Sequence, residues 1–494
     1  MYKTKNIKKH LTSLLLIALL LAAFLPIISS CGGESSDNER YPIGVTAATQ
    51  ETEEISTELT HGVPRLDFEG YEFRWLTSTT TSTYCITAVT EQTGDVLNDA
   101  MYDRIKKVED ELGVVFAPDI IPGESEAALS LMRNTVFAGE DAFDAAMQLG
   151  RAAFGMIGSG LFVDFKTLPY ITTGTQWWFN EINDQVNLTD KNFVMFGSLN
   201  MGIYDFTNAI LFNKNMLSSL NLENPYVLVD SGSWTFDICA EMAKAAVHDV
   251  DGDGQMTKDD IWGFAGRSNS LLPNFIAGAR QRMVEIDADG IPRLTAGSNE
   301  RIFEVFDRVM TLFRDDGVWY TKTGTENNYY VKCPFFENDQ ALFADRSFYS
   351  LTQLREMESD FGMVPFPKFD EVQEQYGAMV EAGGRATIVP VTIKDPEVVG
   401  AVLEALNFYG WKDVIPVYFE IALKQKYTRD NEASRMFDLI LDSIIYDLGD
   451  TMLCSTVKDG ILVPLFAGNK RNLASKIESQ APKVEAAIQA AMGN

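Results

Sequence analysis

The sequence predicts an α/β fold with two lobes whose chain segments interleave. Strand-like segments at 71–76, 114–116 and 143–149 alternate with helix-like segments, which is typical of a mainly parallel sheet. Two later segments, 197–213 and 361–366, break this alternation and indicate crossings between lobes. The resulting assignment puts residues 65–200 and 366–394 in the first lobe, and residues 201–365 and 395–494 in the second.

The helices between the first strands have ends marked in the sequence. Apolar residues recur at helical spacing over 97–112, between a capping Asp95 and a terminating Gly113. A second helix is expected over 127–138, before Gly139. The loops after the three strands therefore share one edge of the sheet, where open α/β sheets bind ligands. These loops supply the ligand-binding candidates Ser78, Thr79, Glu124 and Arg151.

The second lobe is expected to contain helices and a hairpin. Ser233 is the predicted cap of a helix over 234–247, and Asn299 is the predicted cap of a later amphipathic helix. Residues 287–290 have the composition of a hairpin turn rather than of a metal site. The tail from residue 395 is predicted to be mostly helical.

An acidic segment, residues 249–260, has the spacing of a calcium-binding loop. Its candidate ligands are Asp249, Asp251, Asp253, Gln255 and Asp260, with the turn at Gly254. Carboxylates this close repel each other unless a hard cation neutralises them. The last position is Asp rather than the usual Glu, which predicts a weaker site, and a solvated acidic turn is the alternative. Because the loop lies away from the crossings, we expect calcium to stabilise the lobe rather than to contact a ligand.

The chain begins with features of an exported, anchored protein. Four lysines precede the apolar stretch 14–28, which ends in small residues before Cys31, as in a secretory signal. Residues 31–64 are rich in Ser, Thr, Glu and Gly and are expected to form a flexible tether with a reach of about 30 Å. No later stretch predicts a membrane-spanning helix.

Charge and cysteine content exclude several classes of protein. The formal net charge is −29, and because the segment before Cys31 contains four of the 41 basic residues and none of the 70 acidic ones, the remainder carries −33. This charge disfavours nucleic acid and anionic lipid as partners. Cys85, Cys239, Cys333 and Cys454 have no CxxC spacing, so they form neither a zinc framework nor a redox pair, and any disulfide pairing is left open.

The catalytic motifs that a chain of this size could carry are missing from the sequence. There is no GxSxG, HExxH, Walker or dinucleotide-binding motif, and His61 and His248 are the only histidines after Cys31. Two facing carboxylates could serve a glycosidase, but 70 acidic residues always offer some pair. The sequence therefore favours a binding protein over an enzyme.

Further binding candidates come from aromatic and polar residues near predicted lobe edges. Carbohydrate sites combine flat aromatic faces with charged and amide groups that bind hydroxyls. The candidates are Trp177, Trp178, Tyr204, Asp205, Asn208, Arg346 and Phe348, and the turn that contains Glu381, Gly383, Gly384 and Arg385. Core packing is the alternative for each of the aromatic residues.

Several motifs, in this order, resemble those of the extracellular solute-binding lipoproteins of ABC importers, in the large clostridial-type branch of the carbohydrate-binding family. They are the lipobox that ends in Cys31, LPYI at 168–171 before the Trp pair, ILFNKNM at 210–216, SWTFDIC at 233–239, DVDGDG running into IWGF at 261–264, ALFADRSF at 341–348, FGMVPFPKFDEVQEQY at 361–376 and KQKYTRD at 424–430. Together they cover nearly all of the mature chain.

This resemblance implies a type II periplasmic-binding-protein fold, in which two lobes joined by a hinge close on a ligand and deliver it to permease subunits. It implies a carbohydrate ligand, with an oligosaccharide favoured, and a monomer held outside the cytoplasm by a lipid on Cys31 alone. By the same likeness, residues 341–348 line the cleft from the second lobe, and Gly383 and Gly384 lie in the first. The alternatives are an anchored polysaccharide hydrolase, a receptor for peptides or other solutes, and a surface adhesion or sensor module.

Overall fold

The computed structural model describes residues 59–80, 88–320, 334–351, 354, 357–381, 384–424 and 431–493. Its strands are β1 (Tyr71–Ser78), β2 (Val114–Ile121), β3 (Ala145–Leu149), β4 (Asn208–Asn213), β5 (Trp262–Ala265), β6 (Val284–Ile286), β7 (Pro292–Leu294), β8 (Trp319–Tyr320), β9 (Ala341–Ser347), β10 (Phe361–Val364), β11 (Ala378–Met379), β12 (Arg385–Ile388) and β13 (Ile444–Ile445).

The helices of the same residues are α1 (Val96–Leu112), α2 (Ser125–Phe137), α3 (Gly150–Phe154), α4 (Asn180–Gln185), α5 (Gly202–Asp205), α6 (Lys214–Ser219), α7 (Pro225–Asp230), α8 (Phe236–Ala246), α9 (Leu271–Gly278), α10 (Glu300–Met310), α11 (Pro334–Glu337), α12 (Phe348–Leu351), α13 (Pro396–Tyr409), α14 (Ile415–Lys424), α15 (Asn431–Leu441), α16 (Val463–Ala467) and α17 (Leu473–Met492). None of these described helices has both the length and the apolar content needed to cross a bilayer. The predicted signal segment, Cys31 and the tether up to residue 58 lie outside the described residues.

The first sheet has the strand order β12-β3-β1-β2 and is parallel except at one edge. β1 runs parallel to β2, with Tyr71 opposite Val114, and also parallel to β3. β12 runs antiparallel to β3, with Arg385 opposite Leu149. The carboxyl ends of β1, β2 and β3 therefore lie at one edge of the sheet, as predicted, and β12 begins at that same edge.

The second sheet has the order β10-β4-β9-β5-β8. β4 follows the first predicted crossing, β10 begins the second, and the two strands pair antiparallel, with Ile210 opposite Val364. The chain thus enters the second sheet before β4 and returns to β12 of the first sheet after β10. The two sheets are built from interleaved segments, as the sequence predicts.

α13, the first helix after residue 395, packs beside the first sheet, although residues 395–494 were assigned to the second lobe. α13 packs on α1 beside the first sheet, and the Asn407 side chain on α13 accepts a hydrogen bond from the Leu199 amide at 2.9 Å. Farther along the chain, α15 packs on β10 of the second sheet. Because α13 is buried from Val398 to Tyr409, it has no polar face that could have indicated which sheet it covers.

The predicted helix ends are confirmed in most places. The Asp95 side chain accepts from the Asn98 amide at 2.9 Å at the start of α1, and Gly113 ends the helix with a φ of 62°. Asn299 caps α10. Ser233 does not cap α8; its amide donates to the Leu228 carbonyl at the end of α7, and α8 begins after Thr235.

Trp177 and Trp178 lie in the core beside the first sheet and do not line the cavity described below. Their side chains are buried, and their indole N–H groups donate to the two carboxylate oxygens of Glu404 on α13, at 2.9 and 2.7 Å. Glu404 is itself fully buried, and burial raises the pKa of its carboxyl above the usual range. The pair therefore fixes α13 against the segment before α4 and does not present its rings to a sugar.

We expect Glu404→Leu to lower the free energy of unfolding by about 2 to 5 kcal/mol, because two buried indole donors lose their acceptor. Urea unfolding followed by tryptophan fluorescence measures this change. The matched control is Glu397→Leu in the exposed first turn of the same helix, where the Tyr170 hydroxyl donates to a solvent-accessible carboxylate. Equal losses in the two variants would contradict this role for Glu404.

Candidate ligand-binding cavity

A cavity of about 360 Å³ lies where loops of the two sheets meet a segment near the C-terminus. Its lining residues are Thr80, Glu124, Leu149, Arg151, Phe206, Asn269, Ser347, Tyr349, Glu381, Arg385, Cys454, Lys458 and Asp459. Six of these side chains are charged, three of each sign, and several of the others carry hydroxyl or amide groups. Its volume falls within the range of small-molecule sites.

The first sheet reaches the cavity through the loops at its strand ends. Glu124 and Arg151 line it, at the positions where β2 and β3 end. Ser78 is instead buried within β1, and the Thr79 hydroxyl donates to the Ile121 carbonyl at 3.2 Å. Neither residue lines the cavity, whereas the next residue, Thr80, does.

Glu381 is held in the cavity wall by a buried ion pair. Nη1 of Arg267 donates to both carboxylate oxygens of Glu381 at 3.0 Å, and both side chains are about 5% exposed. Nη2 of Arg267 donates to Oδ1 of Asn208 at 3.2 Å, and the Arg267 amide donates to Asp345 at 3.1 Å. Asn208, predicted to bind ligand, thus orients Arg267 and does not line the cavity.

Lys458 enters the same wall from the C-terminal segment. Its Nζ lies 2.7 Å from Oδ1 of Asp450, and both side chains are 5% exposed. Burial alone would lower the pKa of Lys458, but Asp450 and Glu381 act against it, and the net direction is upward. The ammonium group therefore stays charged at the edge of the cavity.

Arg385 and Asp205 are two further buried ionisable residues near the cavity. The guanidinium carbon of Arg385 lies 4.8 Å from the ring centre of Phe206, and both residues line the cavity. Asp205 is buried behind this surface and accepts from the Tyr418 hydroxyl at 2.7 Å. Burial raises the pKa of Asp205 to about 7, against the opposing effects of Tyr418 and Arg385. Asp205 is therefore a buried titrating group and not a lining residue.

The other predicted aromatic contacts also lie in the core. Tyr204 is 2% exposed and packs edge-on against Phe179, and Phe348 stacks on Phe437 with ring centres 4.4 Å apart. Arg346 is buried as well. The neighbouring Ser347, at the end of β9, and Tyr349, in the first turn of α12, line the cavity.

In the glycine turn between β11 and β12, the backbone of Gly384 lies close to the backbone of Gly150. The Gly150 amide donates to the Gly384 carbonyl at 2.9 Å. A Cβ atom on Gly150 would lie 3.2 Å from that carbonyl oxygen and 3.1 Å from the Tyr446 hydroxyl. Gly384 therefore positions the end of β3, and Gly383 lies outside the described residues.

The acidic loop brings three of its predicted ligands together. One carboxylate oxygen from each of Asp249, Asp251 and Asp253 lies within 4.8 Å of the others. Gly252 and Gly254 have positive φ and donate amides to the Asp249 carboxylate at 2.8 and 2.7 Å. These backbone hydrogen bonds lower the pKa of Asp249 and keep it ionised.

Asp260 lies outside this group of carboxylates, and Gln255, which has no carboxylate, stays a predicted ligand. Both oxygens of Asp260 accept backbone amides, from Val250 at 2.9 Å and Thr257 at 2.6 Å, and they close the loop on itself. The Gln255 amide donates to Asp253 at 2.7 Å. Three convergent carboxylates fit a hard cation such as calcium, with Asp260 supporting the loop as a hydrogen-bond acceptor.

Sequence reasoning missed Arg267 and Lys458. Arg267 lies two residues beyond β5, so the strand-end rule applied to the second sheet would have indicated it. Lys458 is the first residue of a π-helical turn, Lys458–Leu462, between β13 and α16, and has no motif around it. Its place in the cavity follows only from the tertiary fold.

Comparison with solved structures shows the fold. A cyclic maltosyl-maltose binding protein from Arthrobacter globiformis superposes with a TM-score of 0.56 at 14% identity, over 85% of this chain and 99% of the other. An ABC substrate-binding protein from Listeria monocytogenes, in complex with cycloalternan, gives a TM-score of 0.54 at 12% identity, over 84% and 98%. A maltose/maltodextrin-binding domain from Bdellovibrio bacteriovorus, bound to maltotriose, gives 0.51 at 14% identity, over 85% and 100%.

No family model and no curated protein matches the sequence. At these identities the structural likeness shows a common fold, the two-lobe arrangement of periplasmic binding proteins, and confirms the fold class predicted from the sequence.

The pKa of Asp205 predicts a pH dependence of stability. Folding raises this pKa to about 7, from about 3.9 in an unfolded chain, so the native state holds the proton more tightly. The resulting stabilisation is complete below about pH 4 and is lost as the pH rises to about 7. We therefore expect the wild type to lose stability as the pH rises from about 4 to about 7, and Asp205→Asn to be spared this loss. Urea unfolding at several pH values measures the difference. The exposed control Asp119→Asn should show no such trend, and parallel profiles for wild type and Asp205→Asn would contradict the assignment.

Proposed function

We propose that this chain is an extracytoplasmic receptor that captures a carbohydrate in the cavity between its two sheets and delivers it to an ABC permease. The cavity is the observation that carries the proposal. It offers charged and hydroxyl groups from both sheets at the strand ends of a fold that solved sugar-binding receptors share. Closure of the lobes would add contacts that exist only with ligand bound, as conformational switching requires.

The state of Glu381 favours a receptor over a polysaccharide hydrolase. A glycosidase needs one carboxyl group that holds a proton to donate to the leaving sugar. Arg267 donates to both oxygens of Glu381, which stabilises the ionised form. Glu381 is thereby suited to accept hydrogen bonds from hydroxyls and unsuited to serve as a general acid.

The anchor and the partner belong to the same proposal. Cys31, after an apolar stretch and small residues, is proposed to carry the lipid, and residues 31–64 to act as the tether. The permease subunits are the proposed membrane partner, supported by the likeness to ABC substrate-binding proteins. A lipid anchor with a tether would let a monomeric receptor move between ligand and permease.

We further propose that the acidic loop binds calcium as a structural element. The three convergent carboxylates supply the ligands, and the loop joins α8 to β5 of the second sheet. None of its residues lines the cavity. Calcium would therefore stabilise the second lobe without contacting the sugar.

Titration calorimetry against a panel of mono- and oligosaccharides, with a panel of peptides beside it, tests the receptor proposal. We expect binding of a sugar with no turnover, and a loss of affinity of about 10-fold in Arg151→Ala, which removes a cation from the rim of the cavity. Arg471→Ala, an exposed arginine paired with Asp315, is the matched control and should bind like wild type. Binding of peptides only would overturn the carbohydrate assignment, and hydrolysis of any sugar would overturn the receptor.

For the loop, we expect calcium to raise the melting temperature of the wild type, and EDTA to reverse the rise. Asp251→Ala should lose the calcium effect while keeping its affinity for sugar, because Asp251 contributes one of the three convergent carboxylates. Asp259→Ala, which removes an exposed neighbour paired with Lys258, is the control. A calcium response that is unchanged in Asp251→Ala would refute the site.

A further inference from the structure

We infer that Lys458 and Glu381 act together as the specificity-determining contact of the cavity, an ammonium donor beside a carboxylate acceptor that receives two adjacent hydroxyl groups of one sugar ring. We call these two residues the donor–acceptor pair. The inference rests on the proposed function, because it assigns chemistry to the same cavity. It also narrows the ligand to a neutral sugar that presents a free vicinal diol to this pair.

The first support is that each member of the pair forms an ion pair with a residue that does not line the cavity. Asp450 holds Lys458 at 2.7 Å, and Arg267 holds Glu381 at 3.0 Å. Arg267 is fixed in turn by Asp345 through its amide. Side chains fixed in this way lose little further rotamer freedom when a ligand binds, which is what a selective contact needs.

The second support is the burial of the pair. Lys458 and Glu381 are each 4% exposed, whereas the Arg151 side chain at the rim is 47% exposed. Both side chains line the same cavity, so they present a donor and an acceptor to one ligand. The Glu381 carboxylate also contributes to raising the pKa of Lys458.

The third support is charge balance. The six charged side chains that line the cavity are three of each sign, and the pair with its two holding partners likewise contains two cations and two anions, so neither set carries a net charge. A carboxylate, phosphate or ammonium on the ligand would add an uncompensated charge to this buried group, which is costly. A hydroxyl adds no charge, and it can donate to Glu381 and accept from Lys458 at once. Two neighbouring hydroxyls satisfy both members.

A site of this kind discriminates against analogues that lack one hydroxyl. Removing the hydroxyl leaves a buried charged group without its ligand partner, and this loss is larger than the loss of a methylene contact. We therefore expect two adjacent ring positions at which deoxygenation weakens binding by about 10- to 100-fold. Deoxygenation at the other ring positions should have smaller effects.

The experiment measures affinities of the mature chain by calorimetry, first for hexoses, pentoses and disaccharides, and then for each monodeoxy derivative of the tightest-binding sugar. The same series is repeated with Lys458→Met. Because that change leaves Asp450 without its partner, the double variant Lys458→Met/Asp450→Asn is measured as well. Lys483→Met, an exposed lysine on α17, is the control.

We expect both Lys458 variants to bind the parent sugar more weakly and to lose the discrimination at one of the two positions, while Lys483→Met keeps it. A purely structural role for Lys458 would lower all affinities equally and leave the ratio of parent to deoxy sugar unchanged, which would overturn the inference. If deoxygenation weakens binding at only one ring position, or at two positions that are not adjacent, the inference is also overturned, but the receptor proposal stands. If no sugar binds to the wild type, the proposed function itself falls.

Discussion

The buried ion pair between Arg267 and Glu381 determines how the segments around the cavity fit together. Arg267 follows β5 of the second sheet, whereas Glu381 lies on the segment that returns to the first sheet. Burying two charges is unfavourable unless their hydrogen-bonding groups are satisfied. Asn208 and Asp345 supply further partners to Arg267, and the Phe206 carbonyl accepts from the Glu381 amide. The position of the returning segment, and with it one wall of the cavity, follows from satisfying this group.

Aromatic residues in this chain stabilise the lobes, and polar residues form the site. Trp177 and Trp178 are buried where their indoles reach Glu404, and Phe348 lies against Phe437. Among the described lining residues, the aromatic side chains are Phe206 and Tyr349, and Phe206 is covered in part by the Arg385 guanidinium. For the proposed receptor, this composition of the described lining favours recognition through hydrogen bonds from charged groups over recognition through stacking. This agrees with the neutral ion-pair group around the donor–acceptor pair.

The sequence predicted those features that depend on local physics. The strand–helix alternation, the cap at Asp95 and the stop at Gly113 are set by neighbours within one or two turns, and the strand-end rule needed only strand positions to place Glu124 and Arg151 at the cavity. Features that depend on contacts between residues distant in the sequence were harder to predict. The sheet covered by α13 depends on packing against α1, and Lys458 reaches the cavity only through the fold of the tail. The aromatic candidates failed because a conspicuous Trp or Tyr is as suitable for a core as for a sugar site.

The residues that line the cavity fall into two groups according to their place in the fold. Phe206 lies on the first crossing segment and Glu381 on the segment that returns from β11 to the first sheet, whereas Arg151 and Tyr349 follow strands of different sheets. In a fold whose lobes rotate about their crossings, groups at the crossings move least and groups at the strand ends move most. The deep contacts can then select a ligand while the lobes are open, and the rim contacts can form on closure. In the proposed receptor, selection and closure would thereby depend on different residues of one cavity. A change at the rim would then alter the affinity for a ligand more than the choice of ligand.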